Sequence, residues 1–86
     1  MWCIGFNKPG ALPDFIPYQR DTFEDARLVL TDILDEAASC ARDAGEKREA
    51  ALLENAKKRL ARAKLRLPKE IGFDVGGYRY WIACLQ

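Results

Sequence analysis

Two consecutive glycines near the end of the chain, Gly76 and Gly77, separate two runs of strand-forming residues, 71–75 and 78–85. A Gly-Gly pair between such runs is typical of a two-residue β-hairpin turn, because glycine readily adopts the positive φ angles that this turn requires. A two-residue turn also fixes how the strands pair. The predicted pairs, outward from the turn, are Val75–Tyr78, Asp74–Arg79, Phe73–Tyr80, Gly72–Trp81 and Ile71–Ile82.

This register predicts a hairpin with two different faces, because successive side chains of a strand point to opposite sides. One face collects the mostly apolar side chains of Ile71, Phe73, Val75, Tyr78, Tyr80, Ile82 and Cys84. The other face collects Gly72, Asp74, Arg79, Trp81 and Ala83. On this second face Asp74 and Arg79 form a favourable cross-strand pair, and Trp81 is expected to cover Gly72, which has no side chain.

Two further strands are expected near the N-terminus. Residues 2–6 form an apolar run that favours a β-strand, and residues 7–14 are interpreted as a loop because they contain Pro-Gly and a second proline. Residues 15–20 are compatible with a short strand. Because Pro17 cannot donate a backbone hydrogen bond, this strand is expected at an edge of the sheet.

Two helices are predicted between these pairs of strands. Asp21 or Thr22 can cap the first helix, and Gly45 suits its C-terminus. Its apolar face comprises Phe23, Ala26, Leu30, Ile33, Leu34, Ala37, Ala41 and Ala44. The second helix is predicted over residues 46–67, with Pro68 ending it. Its apolar seam comprises Leu53, Ala56, Leu60, Ala63 and Leu67. One continuous helix through Gly45 is the alternative to an antiparallel helical hairpin.

Together these elements predict an α+β domain in the order β-β-α-α-β-β. An antiparallel sheet of three or four strands is expected to pack one face on the two-helix antiparallel hairpin and to leave its other face open. The length of 86 residues suits one domain, 1–86. Apolar residues make up 49% and charged residues 31% of the chain, a balance that favours a folded domain over disorder.

The N-terminus and the apolar runs bear on where the chain resides. Residues 1–6 lack the basic lead and long apolar segment of a signal peptide, and no apolar run is long enough to span a bilayer. The expected location is the cytoplasm, without a membrane partner. The cysteines at positions 3, 40 and 84 are expected as reduced, mostly buried thiols. A Cys3–Cys84 pair between neighbouring strands is the alternative.

The sequence contains no histidine and therefore lacks the commonest general base and metal ligand. The acidic pairs 24–25 and 35–36 are expected to be solvated, because adjacent helical side chains diverge. The six glycines match neither a phosphate-binding loop nor a dinucleotide-binding pattern. These features predict a non-enzymatic protein with no cofactor and no metal site. An enzyme that uses a lysine, tyrosine or cysteine at an unrecognised site is the alternative.

Charge is distributed unevenly, although the net charge is only +1. Residues 1–46 carry nine acids and four bases, whereas residues 47–86 carry four acids and ten bases. Seven cations occur without an intervening acid: Lys57, Lys58, Arg59, Arg62, Lys64, Arg66 and Lys69. This basic side of the second helix predicts contact with phosphates or acidic groups. The alternative is a solvated face that the acidic first helix offsets.

The open face of the sheet is a second candidate surface, because Trp81 beside Arg79 has the composition of an interface hot spot. Its alternative is that Trp81 only covers its own sheet. The 7–14 loop, stiffened by prolines, is a third candidate, with a plain connector as its alternative. The predicted partner-binding residues are Lys58, Arg59, Arg62, Arg66, Arg79 and Trp81. A monomer is expected, or a homodimer through edge-strand pairing.

Two stretches of the chain resemble small bacteriophage proteins. The first is Trp2-x-x-Gly5-x-x-x-Pro9-Gly10-x-Leu12-Pro13 with Pro17, followed by Thr22-Phe23-Glu24-Asp25-Ala26, and the second is Tyr78-x-Tyr80-Trp81-Ile82. Small phage and mobile-element proteins of this size include the anti-CRISPR proteins. The resemblance implies a small domain that binds a bacterial defence complex of the CRISPR–Cas type and blocks its nucleic-acid or subunit contacts. The alternative is a nucleic-acid-binding accessory protein that uses the basic side of the second helix.

Overall fold

Six elements follow the predicted order in a computed structural model that describes residues 1–7, 18–63 and 70–84. The four strands are β1 (Trp2–Asn7), β2 (Tyr18–Arg20), β3 (Glu70–Val75) and β4 (Tyr78–Cys84), and the two helices are α1 (Phe23–Asp43) and α2 (Lys47–Arg62). The α+β fold class is therefore confirmed. Several features predicted from the sequence lie outside the described residues: most of the 7–14 loop, Pro17, Arg66, Leu67 and Pro68.

The strands form one antiparallel sheet in the order β2-β1-β4-β3, so the long central pair is β1 and β4. The β3–β4 hairpin has the predicted register at every pair, from Val75–Tyr78 outward to Ile71–Ile82. Its turn residues Gly76 and Gly77 have φ angles of 61° and 81°. Both values are positive, as a type I′ turn requires. The short strand β2 lies at an edge, as predicted.

One face of the sheet and the apolar sides of the two helices enclose the core. The largest fully buried side chains come from both layers: Ile4, Leu30, Leu34, Leu60 and Ile82. Each contributes roughly 1.5–3 kcal/mol by leaving water. The hairpin face predicted to be apolar supplies Phe73, Val75, Tyr80 and Ile82 to this core. Their burial confirms which face of the hairpin meets the helices.

Helix α1 begins and ends where the sequence indicates. The Thr22 hydroxyl accepts a hydrogen bond from the Asp25 backbone N–H at 3.1 Å, which is an N-cap interaction. At the other end Gly45 has a φ of 77°, and its N–H donates to Arg42 O. This is the Schellman arrangement, and it separates the two helices. The predicted apolar face needs two corrections: Ala38 is buried in the core, whereas Ala44 is the exposed C-cap.

Helix α2 is shorter than predicted, because it ends at Arg62 and Ala63 is already extended, with a φ of −67° and a ψ of 136°. The physical reason is a contact from α1. The Arg27 guanidinium donates to Ala61 O at 3.2 Å and to Ala63 O at 2.6 Å. These carbonyl groups would otherwise accept hydrogen bonds from the next turn of the helix. The Arg27 guanidinium thus donates the hydrogen bonds that these carbonyl groups would accept from a further helical turn.

The two helices run antiparallel, as predicted, and polar pairs join them along their length. Arg27 meets the end of α2, Asp35 meets Lys57 near its middle, and Arg42 meets Glu54 nearer its start. A residue early in α1 therefore contacts a residue late in α2, and the order reverses along the pair. A single continuous helix through Gly45 is excluded.

The cysteines are all free thiols, but only Cys3 is buried. Cys84 is half-buried and Cys40 is exposed, so the prediction of mostly buried thiols is wrong for these two. Cys84 pairs with Trp2 across the sheet, whereas Cys3 pairs with Ala83. Side chains alternate along a strand, so Cys3 and Cys84 lie on opposite faces. This placement rules out the Cys3–Cys84 alternative.

Candidate partner-binding surfaces

The outer side of α2 presents three of the predicted binding residues, Lys58, Arg59 and Arg62, all exposed. They lie within little more than one helical turn, which spans about 5.4 Å along the axis. The guanidinium carbon of Arg59 lies 5.3 Å from the centre of the Phe73 ring, so this cation is oriented against the sheet. Among the described residues, neither Lys58 nor Arg62 has an acidic partner. We call these three residues the α2 basic patch.

Lys57 belongs to the helix interface and not to this patch. Its Nζ lies 2.7 Å from Asp35 Oδ1 and 3.4 Å from Glu54 Oε2. The hydrogen bond to Asp35 raises the pKa of Lys57, and the same bond lowers the pKa of Asp35. Glu54 also accepts a hydrogen bond from Arg42 at 3.1 Å, which is the main cause of its lowered pKa. Lys57 is therefore paired with Asp35 of α1 and Glu54 of α2, whereas the three cations of the patch form no ion pair with any described residue.

The helices carry opposite charge. Helix α1 has six acids and two bases, whereas α2 has six bases and two acids, giving net charges of −4 and +4. The acidic first helix offsets part of α2, because Asp35 pairs with Lys57. None of the three cations of the α2 basic patch forms an ion pair with a described acid of α1.

The sheet face that points away from the helices carries two more of the predicted residues, Trp81 and Arg79, in fixed positions. Trp81 donates from Nε1 to Asn7 Oδ1 at 2.7 Å. Arg79 donates to both carboxylate oxygens of Asp74, at 3.1 and 3.2 Å, which confirms the predicted cross-strand pair. Both side chains therefore already make polar contacts within the sheet. This supports the structural alternative for Trp81.

The position of Trp81 over Gly72 was predicted wrongly. Its indole covers Gly5 of β1, where a Cβ atom would lie 2.9 Å from Trp81 Cζ2. The guanidinium of Arg79 covers Gly72 instead. Both glycines are register partners of Trp81, on β1 and β3. The hydrogen bond to Asn7 on β1 draws the ring to that side, and no local pattern in the sequence indicates that β1 pairs with β4.

The predicted binding residues therefore form two separate surfaces. Lys58, Arg59 and Arg62 lie on the helix layer, whereas Arg79 and Trp81 lie on the sheet face that points away from the helices. One flat partner surface cannot contact both sets. Arg66, the remaining predicted residue, lies outside the described part of the chain.

A groove that the sequence did not indicate lies where the helical hairpin meets the β3–β4 turn. It has a volume of about 330 Å³ and brings together the end of α1, the start of α2 and the strands beside the turn. Small and apolar residues line it, namely Ala37, Ala41, Ala44, Leu53 and Val75. Its polar groups are the carboxylates of Glu46 and Glu49, the rings of Tyr78 and Tyr80 and the thiol of Cys40. We call it the turn groove.

The aromatic wall of the turn groove extends into the sheet. The Phe6 ring stacks on Tyr80 with centroids 5.8 Å apart and meets Tyr78 edge-on at 6.4 Å. Burial raises the pKa of the Tyr80 phenol, so this group is neutral at physiological pH. Tyr78 is 39% exposed. The only sequence clue to this cluster was the alternation of the hairpin, which placed Tyr78 and Tyr80 on one face.

The described part of the chain contains neither a cluster of potential metal ligands nor a candidate membrane-spanning helix. Within residues 1–7, 18–63 and 70–84, no three His, Cys, Asp or Glu side chains are placed to hold a metal ion. Neither of the described helices is long and apolar enough to cross a membrane. No protein-family model matches this chain, and neither a curated protein nor a solved structure matches it.

Proposed function

We propose that this chain is a non-enzymatic binding protein that inhibits a bacterial defence complex, in the manner of an anti-CRISPR protein, by covering a contact surface of that complex. One observation carries the proposal. Within the described part of the chain, Lys58, Arg59 and Arg62 form no ion pair, whereas Lys57 on the inward side of the same helix is paired with Asp35 of α1. A group of cations on one helix is complementary to an acidic protein surface and steers the approach of that surface.

The rigidity of the patch favours binding. Helix α2 is fixed to α1 by the Arg27, Lys57 and Arg42 contacts, and Arg59 rests on the Phe73 ring. Ordering long side chains on binding costs roughly 0.5–1.5 kcal/mol for each. A cation already held against an aromatic ring loses less freedom. The resemblance to small phage proteins supplies the class of partner.

Affinity capture from a bacterial lysate that contains CRISPR–Cas complexes tests this proposal, with a phage-plating assay as the functional measurement. We expect a defence component to be recovered and interference to fall. The charge-reversed variant Lys58→Glu/Arg62→Glu should lose both effects. The matched control is Lys47→Glu/Arg48→Glu, which reverses two exposed cations at the opposite end of the same helix. Capture of no defence component, with unimpaired interference, would reject the proposal.

A nucleic-acid-binding accessory protein is the second candidate, and the spacing of the patch favours it. Lys58 and Arg62 are four residues apart on one helix face, roughly 6 Å along the axis. Such a pair can contact successive backbone phosphates. Fluorescence anisotropy with labelled DNA and RNA across a salt series distinguishes this candidate. Two phosphate contacts predict a slope of log K against log salt near about −1.8 for duplex DNA. No binding at low salt rejects it.

A further inference from the structure

The turn groove differs from the α2 basic patch in its charge and in the apolar and aromatic side chains that line it. Its floor is apolar, one wall is aromatic, and Glu46 and Glu49 stand together at the start of α2. Among the described residues, neither carboxylate has a cationic partner. The groove therefore has negative charge, apolar side chains and two tyrosine rings in one place.

The carboxyl group of Glu49 is held against the turn. Its carbon and one oxygen lie 3.0 Å from the point that a Cβ atom at position 76 would occupy. The neighbouring Glu46 carboxyl raises the pKa of Glu49, because the two groups can share a proton through a hydrogen bond and because their negative charges repel each other. Two carboxyl groups so placed favour a proton or a cation between them.

We propose that the turn groove binds an arginine side chain of a partner protein. A guanidinium group binds carboxylates through paired N–H donors and stacks on aromatic rings, whereas its aliphatic stem covers apolar surface. In the groove, Glu46 and Glu49 supply the carboxylates, Tyr78 and Tyr80 supply the aromatic rings, and alanines supply the apolar surface. This contact goes beyond the proposed function and does not depend on it, because its charge is opposite to that of the α2 basic patch.

The negative charge of the turn groove favours an arginine side chain over a phosphate group. Phosphate groups of nucleic acids or lipids would be repelled by the two carboxylates. A lysine ammonium group would satisfy the charge but is more strongly hydrated and does not offer a planar face to the rings. An arginine of a second copy of this chain is the remaining alternative, and the experiment separates it from a different partner.

Nuclear magnetic resonance titration with acetyl-arginine-amide tests the proposal on the whole chain. Acetyl-citrulline-amide is the matched probe, because it has the same shape and no charge. We expect the arginine probe to shift the resonances of Gly76, Gly77 and Tyr78, and the citrulline probe to leave them unchanged. We also expect the pKa of Glu49 to fall when the arginine probe is bound, because a nearby cation favours the ionised carboxylate. Equal shifts with both probes would overturn the proposal.

Two variants show whether the groove itself is the site. Glu46→Gln/Glu49→Gln keeps the side-chain size and should weaken arginine binding about tenfold, since charge-assisted hydrogen bonds are lost. Cys40→Met keeps both carboxylates but fills the groove, and should weaken binding without altering the rest of the spectrum. Unchanged affinity in either variant contradicts the proposal. If Gly76 and Tyr78 resonances move on dilution of the protein alone, the occupant is a second copy and the inference of a different partner is wrong.

Discussion

Arg27 contacts residues of both helices. It donates to two carbonyl groups at the end of α2, pairs with Glu24 at 3.3 Å and lies over the Phe23 ring, with its guanidinium carbon 4.9 Å from the ring centre. Its Nε is buried and has no hydrogen-bond partner among the described residues. The Arg27 side chain thus joins the start of α1 to the end of α2.

We expect Arg27→Ala to lower the free energy of unfolding by about 2–3 kcal/mol, because two hydrogen bonds from a charged group are lost. Release of the unpaired Nε from burial offsets part of this loss. Urea denaturation measures the change. The control is Arg42→Ala, which removes a more exposed cation of the same helix and should cost no more than about 1 kcal/mol. Equal losses in the two variants would contradict the role assigned to Arg27.

Position 5 requires a glycine, because the indole ring of Trp81 occupies the space next to its Cα atom. In Gly5→Ala the new Cβ would lie 2.9 Å from Trp81 Cζ2, so the indole must tilt and strain its hydrogen bond to Asn7. We expect a loss of about 1–3 kcal/mol in the free energy of unfolding. Trp81→Leu should make the same substitution at Gly5 much less costly. A double-mutant cycle measures this coupling, and additive losses would show that the close contact is unimportant.

At the scale of single elements, the N-cap of α1 provides a direct test of how this helix is stabilised. Thr22→Ala removes the acceptor for the Asp25 N–H and should lower the free energy of unfolding by about 1 kcal/mol. Thr31→Ala is the matched control, since the Thr31 hydroxyl donates to Arg27 O within the helix, a bond that contributes little. Thermal unfolding of both variants checks the difference. Similar melting temperatures would contradict the N-cap.

Two glutamates of the α2 region should respond to pH in opposite directions. Contacts with Arg42 and Lys57 hold the pKa of Glu54 below its ordinary 4.5, so its stabilising contribution is present above that value and is lost as pH falls through the lowered pKa. The pKa of Glu49 is raised, so its ionisation destabilises the fold at neutral pH, and protonation relieves this. We expect Glu54→Gln to destabilise and Glu49→Gln to stabilise the protein at pH 7.

Unfolding measured from pH 7 down to about pH 3 checks both signs, because this window spans the ordinary pKa of a glutamate. The difference between Glu54→Gln and the unsubstituted protein should shrink toward the acid end, because the glutamate is then increasingly protonated. The stabilisation in Glu49→Gln should also disappear in acid. A destabilising effect of Glu49→Gln at pH 7 would show that repulsion from Glu46 is not felt in the folded protein.

The register of β3 and β4 could be predicted from the sequence, whereas the end of α2 could not. The Gly76-Gly77 turn determined the whole β3–β4 register because pairing across a two-residue turn is a local property. The end of α2 could not be predicted in this way. No residue from Ala63 to Arg66 disfavours a helix, and the group that contacts the end of α2 is Arg27, which is distant in sequence. A tertiary contact overrode local propensity there.

At the scale of the whole molecule, the layers were predictable but the sites between layers were not. The alternation of the hairpin and the period of the helices indicated which faces meet in the core. The turn groove arises where α1, α2 and the hairpin come together. Its geometry depends on how three elements are arranged in space, which no single stretch of sequence contains. The same holds for Trp81, whose position depends on the pairing of β1 with β4.

The opposite charges of the two helices have a consequence for motion in solution. With a net charge of only +1, the chain has little overall attraction to a distant charged body. A helix of charge −4 beside one of charge +4 nevertheless forms a permanent electric dipole across the helix layer. An approaching charged surface exerts a torque on this dipole and rotates the protein before contact. Orientation would then be selected during diffusion, within roughly the 8 Å screening length of physiological salt.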